Sequence, residues 1–386
     1  MQKFIAIIIL SIASNLVYAQ LWTGTWATAP QSTTKANMPQ TTLNNCAVRQ
    51  IVRVSIGGEL IRLKLSNEYG DGALQLKSIF IADATDSCSI DRKTASFLTF
   101  NGKRSVNIPA GSAIYSDPLR YPLGPLQRLA ITINYQQSPT NITSHPGSRT
   151  TSYIIKGVAN AKSDFSRGEH IDHWFNLSNI EVYGNNNEAI AILGNSITDG
   201  RGSTTNLQNR WPDIMATAMS GNTGILNLGI GGNCVFKDGL GDKAIIRFDR
   251  DILEQSNVKT LIIFEGVNDI GSSNGDSEAV AQSLIQAYKD MAAKAKSQGI
   301  EVIFATIPPF KGHSYFTFFH EAARQTVNEW IRASSEAKVI DFDELLRSTD
   351  DPQRLKEEWQ EDWLHPNAAG YKAMGEFSAK RIKNIH

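Results

Sequence analysis

From Glu188 to the C-terminus the chain alternates short apolar runs with longer mixed stretches, and this rhythm constrains its fold more than anything else in it. Ala189–Leu193, Gly224–Leu228, Thr260–Phe264, Glu301–Thr306 and Lys338–Phe342 read as strands. The stretches near Trp211–Met219, Lys243–Glu254, Glu278–Gln298, Phe319–Ala333 and Asn367–Lys383 read as helices. Runs this apolar are buried on both faces, and repeated strand–helix units close into a parallel sheet covered by helices on both sides. Such sheets bind ligands beyond the carboxyl ends of their strands, so the residues just after each apolar run are the ones to read for chemistry.

The earlier half has another rhythm. From about Leu21 to Val182, short β-branched runs are separated by turn residues, as in Ser78–Ala82, Ser105–Ile108 and Leu129–Tyr135. In Ile51–Ile56 polar and apolar residues alternate with the two-residue period of a half-buried strand. Gly57-Gly58, between Arg49–Ile56 and Leu60–Ser66, reads as the turn of a hairpin. The expected fold class is therefore α/β, with an N-terminal β-sandwich of jelly-roll type ahead of the parallel sheet. At 386 residues two domains are expected. The polar connector Tyr183–Asn187 divides them, giving residues 20–184 and 185–386.

Residues 1–19 read as a secretory signal: Lys3, an apolar centre Phe4–Ile12, and Val17-Tyr18-Ala19 before a cut after Ala19. The other reading is a membrane anchor, but the apolar run is short and Ser11, Ser14 and Asn15 interrupt it. No cysteine stands at the cut, so no lipid anchor is expected there. The expectation is export, secreted or periplasmic, with no integral membrane segment after signal removal. Basic and acidic residues balance at 38 each, which excludes the electrostatic signature of a nucleic-acid partner. Three cysteines, Cys46, Cys88 and Cys234, leave at least one thiol unpaired, with Cys46 and Cys88 able in principle to pair.

Four short motifs follow the strands. Gly194-Asn195-Ser196-Ile197-Thr198-Asp199-Gly200 presents Ser196 at a strand end, although a serine there is often only a helix cap. Gly229-Ile230-Gly231-Gly232 offers backbone amides to a cleft or makes a plain tight turn. It is not a dinucleotide loop, because Cys234 stands where the last glycine is needed. Asn268 ends the third unit and can donate its amide to an oxyanion without adding a titrating charge. Asp362 precedes His365 by three residues, so its carboxylate can hold the imidazole from behind. Taken together they point to a Ser-His-Asp hydrolase in the chain order Ser196…Asp362…His365. No Cys/His cluster of zinc spacing accompanies them, and neither metal nor cofactor is expected.

The combination resembles the SGNH hydrolases, the GDSL-type esterases and lipases, across about the last 200 residues. The resemblance implies a three-layer α/β/α sandwich of about five parallel strands. It implies Ser196 as nucleophile, His365 and Asp362 as its partners, and an oxyanion hole from the Ser196 and Gly232 amides and the Asn268 side chain. Gly231 is the alternative register for the glycine donor. Asn195 departs from the family's aspartate and implies altered hydrogen bonding beside the nucleophile. Trp22–Pro30, Leu65–Gly70 and His145–Arg149 look like exported two-domain members with a β-domain ahead of the hydrolase. Kinship with these implies an acylated polysaccharide as substrate, and export, the β-domain and the lack of a long apolar lid segment point to a small acyl ester, acetate foremost. Phe310, His313, Asn67 and Arg149 are the candidate substrate contacts. A general aryl or lipid esterase and a catalytically silent carbohydrate-binding protein are the rival readings.

Overall fold

The computed structural model describes residues 21–184 and 188–384. The signal reading for residues 1–19 and most of the connector 185–187 therefore lie outside the described residues. Five strands form the parallel sheet: β1 (Ala189–Gly194), β2 (Gly224–Gly229), β3 (Val258–Phe264), β4 (Glu301–Ala305) and β5 (Lys338–Ile340). Their order is β2-β1-β3-β4-β5, every neighbour parallel. A sheet wound outward in both directions from its first strand leaves a crevice at the carboxyl end of β1.

Alternate residues of each strand feed two separate cores, because successive side chains point to opposite faces. Ala191, Leu193, Leu261 and Ile263 pack with the helices α3 (Ala244–Phe248), α5 (Ser277–Ser297) and α6 (Phe318–Ala333). Ile190, Ile192, Ile262 and Ile303 pack with α2 (Trp211–Ala218), α7 (Phe342–Leu346) and α8 (Ala368–Lys383). The fifth strand is shorter than its apolar run suggests. It stops at Ile340, where the Asp341 side chain accepts from the Glu344 amide and caps α7, so Phe342 becomes a helical residue in the second core.

The N-terminal β-rich region contains two large antiparallel sheets over one apolar core, and a small third sheet of Gln31–Ser32, Thr143–His145 and Trp174–Phe175. One of the large sheets runs Leu21–Ala27, Leu177–Gly184, Gly58–Asn67, Leu119–Leu123; the other is built on Cys46–Arg53, Arg128–Gln137 and Leu74–Asp86. Ile61, Leu63 and Leu65 of the first meet Val48, Val52, Ile79 and Ile131 of the second. The sandwich is present at that level, and the jelly-roll label is finer than these pairings carry.

The hairpin expected at Gly57-Gly58 is not formed. Cys46–Arg53 is flanked by Arg128–Gln137 and Ser152–Lys156, and Gly58–Asn67 by Leu177–Gly184 and Leu119–Leu123, so neither has an edge left for the other. The chain instead crosses between sheets, with the Ser55 amide donating to the Thr25 carbonyl at 2.9 Å. Gly57 is pressed so close to the Leu123 carbonyl that a Cβ would lie 2.3 Å from its oxygen. Alternation decides which face a side chain takes, not which strand its backbone pairs with. Cys46, Cys88 and Cys234 are all buried free thiols.

The β-rich region meets the parallel sheet along β2. Strand Leu21–Ala27 lies beside it, the Ile225 amide donates to Ser55 Oγ at 2.9 Å, and Ala27 and Ala29 join the α/β core. Glycines permit this approach: a Cβ on Gly224 would sit 2.1 Å from the Gly24 carbonyl oxygen. Gly224→Ala is expected to lower stability by about 1–3 kcal/mol in urea unfolding, the scale of overpacking. Gly72→Ala, whose Cβ would meet nothing nearer than Pro139 at 3.8 Å, should stay within about 0.5 kcal/mol.

Candidate active site

At the end of β1 the chain turns into a single helical turn, α1 (Ser196–Asp199). Asn195, not Ser196, is its cap: Asn195 Oδ1 accepts from the Ile197 amide at 3.1 Å. Ser196 is thereby left as the first helical residue, whose backbone amide has no intrahelical acceptor. Its hydroxyl lies 2.8 Å from His365 Nε2. His365 Nδ1 in turn sits 2.9 Å from Asp362 Oδ2. These partners set the tautomer: Nδ1–H donates to the carboxylate, and Nε2 is free to accept from the serine.

Asp362 also accepts from the amides of Leu364 at 3.1 Å and His365 at 2.9 Å, a tight turn that forces Trp363 to a φ of 66°. A bulky residue there costs on the order of 1–3 kcal/mol and persists only where its surroundings fix it. The Trp363 amide donates to Gln360 Oε1 at 2.8 Å, and the Arg354 guanidinium lies 3.9 Å from the Trp363 ring centre. Burial lowers the His365 pKa from its usual value by disfavouring the imidazolium, against the opposing pull of Asp362. Burial pushes the Asp362 carboxyl up, but the hydrogen bonds from His365 and the Leu364 amide outweigh it and hold the group below its usual value.

The glycine register is decided by hydrogen bonding. The Gly231 amide donates to Asp199 Oδ2 at 3.0 Å. The Gly232 amide has no acceptor among the described residues, and its φ of 71° suits glycine. Asn268, on the short helix α4 (Val267–Gly271), gives one Nδ2 hydrogen to the Asn233 carbonyl at 2.7 Å, while Tyr315 Oη donates to its Oδ1 at 3.2 Å. That leaves the second Nδ2 hydrogen, with the Ser196 and Gly232 amides, as donors without partners among the described residues.

Two groups without a role in the sequence reading stand behind this arrangement. Asp199 is held by His145 Nε2 at 2.9 Å, and His145 Nδ1 lies 2.8 Å from the Ala29 carbonyl oxygen. Both side chains are buried. Arg247, also buried, donates to the carbonyls of Leu228 at 2.7 Å and Gly194 at 3.1 Å and to Asn233 Oδ1 at 3.0 Å. Neither group has a local spacing signal, since each acts through partners far along the chain. Asn195 has its own reason in the structure: its Nδ2 donates to Glu265 Oε2 at 3.2 Å. Burial pushes the Glu265 carboxyl up to about 8, and an aspartate at 195 would set a second carboxyl against it.

Residues 192–373 match the GDSL-like lipase/acylhydrolase family. This stretch is a GDSL-like lipase/acylhydrolase domain. It is thus a carboxylic ester hydrolase by family. The chain is 27% identical over 185 residues to the uncharacterized lipoprotein YqeF of Bacillus subtilis, covering 46% of this chain and 72% of that protein. It is similar to a GDSL-like lipase from Bacteroides thetaiotaomicron, with 19% identity, TM-score 0.39, and coverage of 52% of this chain and 89% of the other. It is also similar to a carbohydrate acetylesterase family member from Sinorhizobium meliloti, with 15% identity, TM-score 0.41, and coverage of 51% and 98%. Among the described residues no helix is long and apolar enough to cross a membrane.

In the GDSL-like domain Ser196, Gly232, Asn268, Asp362 and His365 all open on one cavity of about 370 Å³. His313 and Tyr315 line it too. The β-rich region contributes its other wall through Gln31, Ser32, Thr34, Asn37, Gly147 and Arg149. Of the four candidate substrate contacts, His313 and Arg149 are here and the other two are not. Phe310 is fully buried and packs into the α/β core on the helix side of its loop. Asn67 is buried as well, its Nδ2 donating to the carbonyls of Gly72, Ile108 and Pro109 at 2.9–3.1 Å to hold a turn together. Trp26 is also a core residue, edge-on to Trp174, and Tyr69 is tied by its hydroxyl to Asp242 at 2.6 Å.

A protonated His365 cannot accept from Ser196, so kcat/KM should rise with pH through a pKa below the usual histidine value of 6.5 and then level off. Asp362→Asn should lower kcat by roughly 10⁴ if the residue holds the tautomer, as in other triads. Ester hydrolysis followed between pH 4 and 9 (roughly the span over which histidine titrates) checks both. His145→Asn should loosen Asp199 and the glycine loop without touching the serine. We expect a fall in kcat at near-constant KM, bounded by the roughly 10²–10³ cost of losing an oxyanion donor.

Proposed function

We propose that the chain is an exported serine esterase that removes small O-acyl groups, acetate foremost, from carbohydrate. In this reading residues 1–19 are a signal, 20–184 an accessory β-sandwich and 185–386 the hydrolase. The observation that carries the catalytic part is the run Ser196–His365–Asp362 facing one cavity with three unpaired hydrogen-bond donors. His365 takes the Ser196 proton as the hydroxyl attacks the ester carbonyl. The oxyanion is held by the amides of Ser196 and Gly232 and by Asn268 Nδ2. His365 then gives its proton to the departing alcohol, and the acyl-enzyme is hydrolysed by a water that His365 deprotonates.

The carbohydrate part is supported by the cavity wall. Gln31, Ser32, Thr34 and Asn37 offer uncharged donors and acceptors suited to sugar hydroxyls. One feature favours a lipid or aryl ester instead: Phe318 and Phe319 are 79% and 77% exposed, just beyond Tyr315 at the cavity. Acetate release from acetylated xylan, glucomannan and pectin, set against hydrolysis of medium-chain esters, separates these readings. We expect faster turnover of the acetylated glycans. A preference for long acyl chains with no acetate released would overturn the carbohydrate assignment. Ser196→Ala should lower the rate on a chromogenic acetate ester by about 10⁶, and an unchanged rate would leave a binding protein.

A further inference from the structure

Resting on the esterase reading, we infer that the cavity selects a glycan carrying a carboxylate, with Arg149 as the cation that receives it. Arg149 enters the cavity from the turn after His145 in the β-rich region. Its guanidinium has neither a carboxylate nor a hydrogen-bond acceptor among the described residues, and its Nε is sealed from solvent without a partner. Both carboxylates lining the cavity are already engaged. Asp199 is bound by His145 and the Gly231 amide, and Asp362 by His365 and the Leu364 amide. Two carboxylates and two guanidiniums thus line the cavity, but neither carboxylate pairs with Arg149, whose donors are left unclaimed.

The backbone is arranged to place it. Arg149 has a φ of 49°, which a residue with a Cβ adopts only when its surroundings require it. Here they do: the Asn206 amide donates to the Arg149 carbonyl at 2.9 Å, and the Thr151 amide donates to Asn206 Oδ1 at 2.8 Å. Gln208 Nε2 donates to Thr150 Oγ1 at 2.7 Å from the same loop. The GDSL-like domain thus holds the arginine's carbonyl and the two residues after it, and makes no hydrogen bond to its side chain. Arg201 adds a second cation at the cavity, 3.8 Å from Asp362 and 58% exposed. One unpaired and one loosely paired guanidinium leave hydrogen-bond donors for a single carboxylate. The planar fork of arginine matches a carboxylate with two parallel hydrogen bonds.

The test compares acetate release from acetylated galacturonan oligomers with release from the same oligomers after their carboxyls are converted to primary amides. Wild type should favour the acid in kcat/KM by about ten-fold or more, the scale of a charge-assisted contact. That preference should shrink as salt is raised. In Arg149→Met, and in Arg149→Asn, which tolerates the left-handed backbone, the preference should fall to near unity. Equal turnover of acid and amide by wild type would overturn the charge inference while leaving the esterase reading intact. So would an equal loss on both substrates in both variants. No turnover of these oligomers or of a chromogenic acetate ester would overturn both.

Discussion

One buried guanidinium holds the carboxyl end of the parallel sheet together. Arg247 reaches the carbonyls at the ends of β1 and β2 and the side chain of Asn233, and pairs with Asp251 at 3.0 Å. Asn233 in turn receives Asn268 on its carbonyl, so one cation sets the spacing between the serine turn, the glycine loop and the amide donor. A buried charge is tolerated only when its donors are satisfied, and removing one side of such a pair costs about 3–5 kcal/mol. The segment carrying Arg247 runs into a π-helical turn, Asp249–Leu253, a distortion found often beside functional sites. Here it follows directly on the helix that delivers the guanidinium beneath the sheet.

The donors around Ser196 are ordered by what has already been claimed. Gly231 and Gly232 are neighbours of identical chemistry, yet Asp199 takes the first amide and leaves the second. Asn195 similarly divides its side chain between capping α1 and steadying Glu265. A preformed oxyanion site needs donors that are fixed but unpaired. Both conditions are met by engaging the adjacent polar groups, not by moving the donors themselves.

Much of this was legible in the sequence. The five apolar runs of the second half map onto five parallel strands within a residue or two, because fully buried strands carry a strong local signal. The serine, at the end of β1, meets the aspartate and histidine, which the loop before α8 carries. What was not legible depends on partners distant along the chain. The Gly57-Gly58 hairpin failed because pairing edges were already taken by strands far along the sequence. Phe310 and His313 stand on one loop, and only tertiary packing turns one into the core and the other to the cavity. Asn67, a candidate substrate contact in the sequence, is a buried tie for its own turn. His145, Asp199 and Arg247 carry no periodicity or spacing that would have marked them.

The turn from His145 to Arg149 joins two tasks in the proposed reading. Its first residue holds Asp199 and through it the glycine loop, and its last forms part of the cavity wall. A drift in this turn that altered what the cavity accepts would also disturb how fast the bond is broken. If the proposed roles hold, recognition and turnover are not independently adjustable here, and substitutions in this turn are constrained as those beside the serine are.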